Sequence, residues 1–234
     1  MLVNAQGRFL SQRSHPLLAR IRTTLGAMDF TLQIEDAAPL ILPLEPQGEM
    51  AAVEVWNDPC EGLDQGDAAA AWASRAVGEP VRVVRMPAHP RRLASARYAG
   101  PGPVPVSFVD GFPVLVCNRA SLAALNRRMP APVGMERFRP NLVLEGLPAF
   151  AEDRIAAVRI GQVTLNLVKP CTRCVVTSLD QRTGAPSVNP LPVLKEFRLN
   201  RDLLGVTFGE NAVAATGLGQ FIEVGAECEI VYAD

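Results

Sequence analysis

Residues 163–180 read VTLNLVKPCTRCVVTSLD, and this stretch decides the fold class because it sets a CxxC motif between two strand-like runs. The first run, 163–168, alternates apolar and polar residues, and the second, 174–179, is rich in β-branched residues. Both patterns are typical of β-strands. The segment DQRTG, 180–184, predicts a tight turn. We therefore expect two strands joined by a loop that presents Cys171 and Cys174.

The strand-like pattern extends outward from this stretch in both directions. Short segments in which apolar residues mostly alternate with polar ones or follow one another, with an overall enrichment in β-branched residues, recur at 8–13, 30–35, 51–56, 81–86, 141–145, 205–209 and 226–232. Helical patterns occupy only 66–78, 118–129 and 189–198, and Asn118 is placed to cap the second of these. The sequence therefore predicts a mainly β (α+β) protein with a few packed helices.

One segment, 89–105, has the arginine, proline and glycine density of a loop or linker. It divides the chain at about residue 100, and 234 residues are enough for two small domains with separate cores. We expect one domain over 1–99 and another over 100–234.

Composition excludes several classes of function. A net charge of −1 and a sequence pI near 6.2 give no overall attraction to nucleic acid or anionic lipid. The five cysteines are an odd number, no secretion signal is visible, and no apolar run is long enough to span a bilayer. We expect a cytoplasmic protein with no nucleic-acid or membrane partner.

The KPCTRC motif admits four interpretations. Lys169 and Arg173 flank the two thiols, and cationic neighbours lower the pKa of a thiol, which predicts an activated site. A thioredoxin-like dithiol is disfavoured because that motif opens a helix, and structural zinc because further ligands are missing at metal-binding spacing. Two buried or idle thiols remain an ordinary alternative. The fourth interpretation is a single thiolate ligand to a soft metal centre, Mo or Cu(I).

Two further clusters carry polar groups ahead of strands. In FRPN, Arg139 and Asn141 could present a guanidinium and an amide to an anion, although Arg137 and Arg139 could equally be solvated surface charges. In VDGFP, Asp110 and Gly111 lie at a turn between apolar runs, where aspartate is common without any catalytic role.

Taken together, these motifs resemble one family. The succession FVDGFPVLVCNRASLAALN, FRPNLVLEG, AFAEDRIAAVRIG, VKPCTRCVVTSLDQRTG, VTFGENAVA and IEVGAECEIVY resembles the MOSC domain over about residues 104–233. Ahead of it, NAQGRFLSQRSHPLLARI and VEVWNDPCEGLDQGDAAAAWASRAVG are similar to the MOSC N-terminal β-barrel domain. The resemblance implies a MOSC β-barrel with a few helices in the second domain and a smaller β-barrel in the first.

The resemblance also implies a cofactor and the residues that hold it. The cofactor is the molybdenum cofactor, Mo-molybdopterin, with Cys174 as the metal ligand and Cys171 as the other candidate. The implied catalytic residues are Cys174 and Asp110. The implied cofactor-binding residues are Arg139, Asn141, Thr172, Arg173 and Gly111. In molybdenum cofactor sulfurases, whose C-terminal domain is a MOSC domain, pyridoxal phosphate is bound by another domain, so it is not expected here.

The function implied by the resemblance is reduction of N-hydroxylated compounds, such as amidoximes and hydroxylamines, to amines. No ferredoxin-like Cys₄ pattern follows the second domain, so we expect electrons from a separate redox protein. The alternatives are a sulfur carrier that holds a persulfide on Cys174 or Cys171, and a degenerate scaffold without cofactor.

The chain departs from the family at its beginning. Two-domain relatives carry an earlier YPVKS-type strand and a GDR segment whose Lys, Ser and Arg hold the cofactor phosphate. Those residues do not occur here, which predicts either a start assigned too far downstream or a truncated paralogue. We favour the first, because missing barrel strands would leave edges and apolar faces exposed.

Overall fold

A computed structural model describes residues 1–88 and 92–233. Contacts between Cα atoms divide the chain into two compact units. Unit 1 comprises Met1–Arg92 together with Leu179–Ser187, and unit 2 comprises Leu93–Ser178 and the chain from Val188 onward. The second unit therefore contains the CxRC motif and most of the candidate site residues.

Unit 1 consists of two antiparallel sheets and one long helix. The first sheet has the order β1-β7-β6-β5 and the second the order β2-β3-β4. Helix α1 (Gly66–Val77) buries Ala69, Trp72 and Ala73 and ends at Gly78, whose φ of +83° closes the last turn. The strands are β1 (Leu2–Val3), β2 (Arg22–Leu25), β3 (Asp29–Gln33), β4 (Leu40–Pro43), β5 (Glu49–Val55), β6 (Asp58–Asp64) and β7 (Arg82–Arg85), and a 3₁₀ turn spans Pro16–Arg20.

Unit 2 is built on one larger sheet with the order β14-β10-β11-β13-β8-β9, and β12 pairs with β13. Neighbours are antiparallel except β8 and β9, which are parallel. The strands are β8 (Val114–Asn118), β9 (Leu142–Leu144), β10 (Ile155–Ile160), β11 (Val163–Thr172), β12 (Leu199–Asn200), β13 (Gly205–Thr216) and β14 (Glu229–Tyr232). The helices are α2 (Ala96–Ala99), α3 (Arg119–Asn126) and α4 (Leu191–Phe197), and 3₁₀ turns span Met135–Arg137, Ala151–Arg154 and Val175–Ser178.

The core of unit 2 lies directly behind the CxRC motif. Phe138 and Phe208 are both fully buried, and their rings stack with centroids 4.0 Å apart. They pack with Cys117, Leu125 and other apolar side chains in one cluster. Buried aromatic pairs of this kind stabilise a core beyond the area they remove from water. Phe138, which contacts Arg173 of the motif, therefore belongs to a buried apolar cluster.

Most sequence-based predictions of secondary structure are confirmed. The protein is mainly β with few helices, and Asn118 caps α3 by accepting a hydrogen bond from the backbone N–H of Ala120. None of the helices in the described residues is long and apolar enough to cross a membrane.

Three local predictions are wrong. Residues 8–13 form isolated bridges and a serine turn rather than a strand, because the backbone N–H groups of Ser14 and His15 bond to the Ser11 carbonyl. Residues 174–179 contain a 3₁₀ turn rather than a strand. The predicted loop 89–105 contains the short helix α2, and its part at 89–91 lies outside the described residues.

Candidate functional site

The CxRC loop begins inside strand β11 and ends in a tight turn. Cys171 and Thr172 are the last residues of β11. The Arg173 N–H donates to the Val206 carbonyl at 2.8 Å. The Cys174 carbonyl accepts from the backbone N–H of Thr177 at 3.1 Å and from its hydroxyl at 2.9 Å. The local hydrogen bonds from Thr177 to the Cys174 carbonyl explain why this β-branched stretch turns instead of continuing as a strand.

Arg173 is held in one orientation by three contacts. Its Nη1 donates to Sγ of Cys171 at 2.9 Å and its Nη2 to the Phe138 carbonyl at 2.7 Å. Its Cζ lies 5.5 Å from the centroid of the Phe138 ring. Its Nε is buried and has no hydrogen-bond partner within residues 1–88 and 92–233. The Nε–H group of this guanidinium is thus a buried donor without a partner among the described residues.

The Cys171 thiol is not activated in the way the sequence suggested. Burial raises its pKa, Arg173 opposes this effect, and the negative charges of Asp110 and Glu210 add to the rise. Burial likewise raises the pKa of Cys117 to about 12. The prediction that neighbouring cations activate both thiols is therefore wrong for Cys171, because desolvation of the thiolate outweighs the nearby guanidinium.

Cys174 differs from Cys171 in its surroundings. Its side chain is half-buried, and within the described residues Sγ makes no hydrogen bond, whereas Sγ of Cys171 is occupied by Arg173. The backbone carbonyl of Cys174 accepts hydrogen bonds from the N–H and the hydroxyl of Thr177. The loop therefore fixes the backbone of Cys174 while leaving its sulfur unpaired.

The FRPN segment separates into buried and exposed parts. Arg137 is 7% exposed and donates to the Thr177 carbonyl at 3.4 Å, so its interpretation as a solvated charge is wrong. Arg139 is exposed, with a φ of +55°, which is uncommon for a non-glycine residue. Its guanidinium has no ion pair or hydrogen bond within the described chain. The side chain of Arg139 is thus available for an anion.

Asn141 has a structural role that the sequence did not reveal. Its backbone N–H donates to the Leu115 carbonyl at 2.9 Å, and its Oδ1 accepts from the Leu115 N–H at 2.8 Å. These two bonds extend the pairing of β8 with β9. Only the amide nitrogen of the Asn141 side chain remains to contact a ligand.

The VDGFP turn lies beside the CxRC loop. Asp110 is exposed, and its charge contributes to the raised pKa of Cys171. A Cβ added to Gly111 would meet no atom within 4 Å, and its φ is not positive, so the turn does not require glycine there. Thr172 is also exposed and lies opposite Thr207 in the β11–β13 pair.

Sequence reasoning missed the polar groups behind the loop. Glu210 is 4% exposed on β13, and burial raises its pKa to about 8, with Asp153 and Glu152 adding and Arg198 opposing. Glu152 is fully buried, and its Oε2 accepts from Ser121 and Asn118. The only signal was a glutamate inside the apolar strand segment VTFGENAVA. Within the described residues, no group of three or more His, Cys, Asp or Glu could hold a metal ion.

The family model described as the MOSC domain matches residues 103–229, which include the DGFP turn, the FRPN segment and the CxRC loop. The chain belongs to the MOSC domain family. The model of the MOSC N-terminal beta barrel domain matches residues 1–80. The expected resemblance of both parts of the chain is confirmed.

Curated relatives of this MOSC protein include amidoxime-reducing components and molybdenum cofactor sulfurases. Mitochondrial amidoxime-reducing component 1 of Homo sapiens is 32% identical over 204 residues, 85% of this chain and 60% of the relative. Molybdenum cofactor sulfurase of Danio rerio is 31% identical over 232 residues, 89% of this chain and 27% of the relative. The chain therefore spans about 60% of the length of the amidoxime-reducing relatives. A solution structure of a Bordetella bronchiseptica protein is 25% identical, with a TM-score of 0.34, over 36% of this chain and 68% of that chain.

Proposed function

We propose that this MOSC protein binds the molybdenum cofactor with Cys174 as the protein ligand to the metal. The proposal depends on the different hydrogen bonding of the two cysteines in the CxRC loop. Sγ of Cys171 is engaged by Arg173, whereas Sγ of Cys174 is unpaired on a backbone fixed by Thr177. A thiolate is a ligand type that suits a soft metal centre.

The charged residues around the loop fit the anionic part of this cofactor. Arg173 has a buried Nε without a partner in the described chain, which an anionic oxygen could satisfy. The guanidinium of Arg139 makes no hydrogen bond within the described residues, and the paired N–H donors of an arginine match the geometry of a phosphate. The Thr172 hydroxyl and the Asn141 amide nitrogen supply further donors. The open space beside Gly111 leaves room for a ligand to approach the turn.

The proposed reaction is the reduction of an N-hydroxylated compound to the amine and water, which consumes two electrons and two protons. The bound cofactor would supply the oxygen-atom and electron chemistry, and a separate electron-transfer protein would supply the electrons. The protein would position the substrate and exchange protons, and the exposed carboxylate of Asp110 is the proposed proton-exchanging group. The proposal is supported by the relatives named amidoxime-reducing components.

The test is the molybdenum content of protein purified from a cofactor-competent host, together with reduction of benzamidoxime. We expect bound metal and amidine formation with an artificial reductant. Metal-free protein, or metal-loaded protein that leaves benzamidoxime unchanged, would overturn the cofactor or the reaction respectively.

A second candidate function is sulfur transfer. It is supported by the relative named molybdenum cofactor sulfurase, which matches 89% of this chain. In that case a cysteine of the CxRC loop would carry sulfur as a persulfide. Mass spectrometry that finds a persulfide on Cys174, with no bound molybdenum, would favour this function over the first.

We also place the protein in a reducing compartment such as the cytoplasm. All five cysteines are free thiols, which fits a location where disulfides do not persist. Fractionation of the native host would test this placement.

A further inference from the structure

Lys169 is an unusual residue in this chain. Of the 23 basic residues, only Lys169 and Lys195 are lysines, and all others are arginines. Lys195 is exposed on α4, whereas Lys169 is half-buried in β11. A lysine in this position presents a compact ammonium with three donors rather than a planar fork.

The Lys169 ammonium lies against two aromatic rings. Nζ is 4.9 Å from the centroid of the Tyr98 ring and 5.9 Å from that of the Phe112 ring. The two rings meet edge to face, with centroids 6.4 Å apart. Tyr98 comes from α2, and Phe112 follows the Asp110–Gly111 turn. Three separate segments of unit 2 therefore converge on one ammonium group.

No carboxylate pairs with Lys169 in the part of the chain that the structure describes. The ring faces attract the ammonium, but they do not satisfy its hydrogen-bond donors. Arg97 adds further positive charge, because its Cζ lies 5.2 Å from the centroid of the Tyr98 ring. A half-buried ammonium that makes no hydrogen bond within the described residues and lies beside two aromatic rings is suited to a planar compound that carries an anionic group.

The cluster of Lys169, Tyr98 and Phe112 adjoins the candidate site. Lys169 precedes Cys171 by two residues on β11, and Phe112 follows Asp110 by two residues. Cys174 follows Lys169 by five positions in the chain, so their Cα atoms are at most about 18 Å apart. The cluster and the start of the CxRC loop therefore lie at the same end of strand β11.

We propose that Lys169, Tyr98 and Phe112 form a specificity subsite that selects N-hydroxylated substrates bearing a carboxylate or phosphate group over neutral ones. The inference rests on the proposed reductase function. The Lys169 ammonium binds the anionic group, and the rings of Tyr98 and Phe112 pack against the planar part of the substrate.

The test compares benzamidoxime with 4-carboxybenzamidoxime. The wild-type holoenzyme is expected to have the higher kcat/KM for the carboxylate, mainly through a lower KM. Replacing Lys169 with Met keeps the apolar stem but removes the charge, and should lower the ratio of the two kcat/KM values by about tenfold, as expected for one charge-assisted hydrogen bond. Lys169→Arg should restore most of the ratio, and the exposed-lysine control Lys195→Met should leave it unchanged.

Calorimetric binding of the two compounds to the holoenzyme measures the subsite without turnover. Preferential binding of the carboxylate that is lost in Lys169→Met supports the subsite, whether or not the compounds are reduced. If the carboxylate binds preferentially but neither compound is reduced, only the reductase function is overturned. Equal preference in wild type and Lys169→Met overturns the subsite. Loss of molybdenum and pterin in Lys169→Met also overturns it, because the anion held by Lys169 would then belong to the cofactor.

Discussion

The guanidinium of Arg173 donates to Sγ of Cys171 at 2.9 Å, which gives the two cysteines of the CxRC loop different roles. Sγ of Cys171 accepts a hydrogen bond from the Arg173 guanidinium. The same guanidinium also donates to the Phe138 carbonyl and lies over the Phe138 ring. Sγ of Cys174 makes no hydrogen bond within residues 1–88 and 92–233. We therefore propose the first cysteine as a positioning residue and the second as the metal ligand.

Replacing Cys171 tests its positioning role. Cys171→Ser keeps a hydrogen-bond acceptor and should retain cofactor, whereas Cys171→Ala frees the guanidinium and should weaken cofactor affinity by roughly tenfold, as for other groups that orient metal-site residues. Molybdenum retained after gel filtration at several dilutions measures the difference. Complete loss of metal in both variants would instead identify Cys171 as the ligand.

The stability of unit 2 should depend on the protonation of Glu210. Burial raises the pKa of this carboxyl from 4.5 to about 8, so the folded state binds the proton more tightly than the unfolded state. The contribution of Glu210 to the free energy of unfolding should therefore be greatest below about pH 4.5, where the carboxyl is protonated in both states. This contribution should fall by roughly 3–5 kcal/mol as the pH rises from about 4.5 to about 8.

Glu210→Gln should remove most of that dependence and make the protein more stable than wild type at pH 8. Urea unfolding at pH 5, 6.5 and 8 measures the slope, and the exposed Glu223→Gln is the matched control. A wild-type slope that persists in Glu210→Gln would show that another group carries it.

Two glycines near the site should respond differently to alanine. Gly209 has a φ of +76°, and an added Cβ would lie 2.7 Å from both Sγ of Cys117 and the Val116 carbonyl oxygen. Gly209→Ala should therefore cost roughly 3 kcal/mol through strain and overpacking. Gly111→Ala should change stability by less than about 0.5 kcal/mol, because its Cβ meets no neighbour. Thermal unfolding of both variants checks the contrast, and equal losses would be inconsistent with it.

Substitutions at two residues of the FRPN segment should have different effects, one on the stability of the fold and the other on cofactor binding. Asn141→Ala removes the acceptor of the Leu115 N–H and should cost roughly 1 kcal/mol of stability. Arg139→Gln should leave the melting temperature of the cofactor-free protein unchanged, because the guanidinium has no partner in the described residues, but should lower cofactor retention. A stability loss in Arg139→Gln would point to a structural role.

Parts of this site could be predicted from the sequence and others could not. The strand before Cys171 follows from alternation, and the Asn118 cap from its position ahead of α3. The turn at Val175–Ser178 was missed because β-branched composition favours a strand, whereas the Thr177 hydroxyl bonds to the Cys174 carbonyl. The Cys171 pKa was misjudged because burial depends on tertiary packing, which charged neighbours in the sequence do not reveal.

The groups that complete the site come from distant segments. The Phe138 carbonyl is 35 residues away from Arg173, yet it fixes the guanidinium. The positive φ of Arg139 likewise follows from the fold rather than from its residue type. Local patterns therefore identified the loop, whereas its supporting contacts depend on chain topology.

The most direct test of the account is the molybdenum content of three proteins from one cofactor-competent host: wild type, Cys174→Ala and Cys171→Ser. We predict close to one molybdenum per chain in wild type and in Cys171→Ser, and almost none in Cys174→Ala at unchanged folding by circular dichroism. Equal molybdenum in wild type and Cys174→Ala would contradict the assignment of Cys174 as the metal ligand.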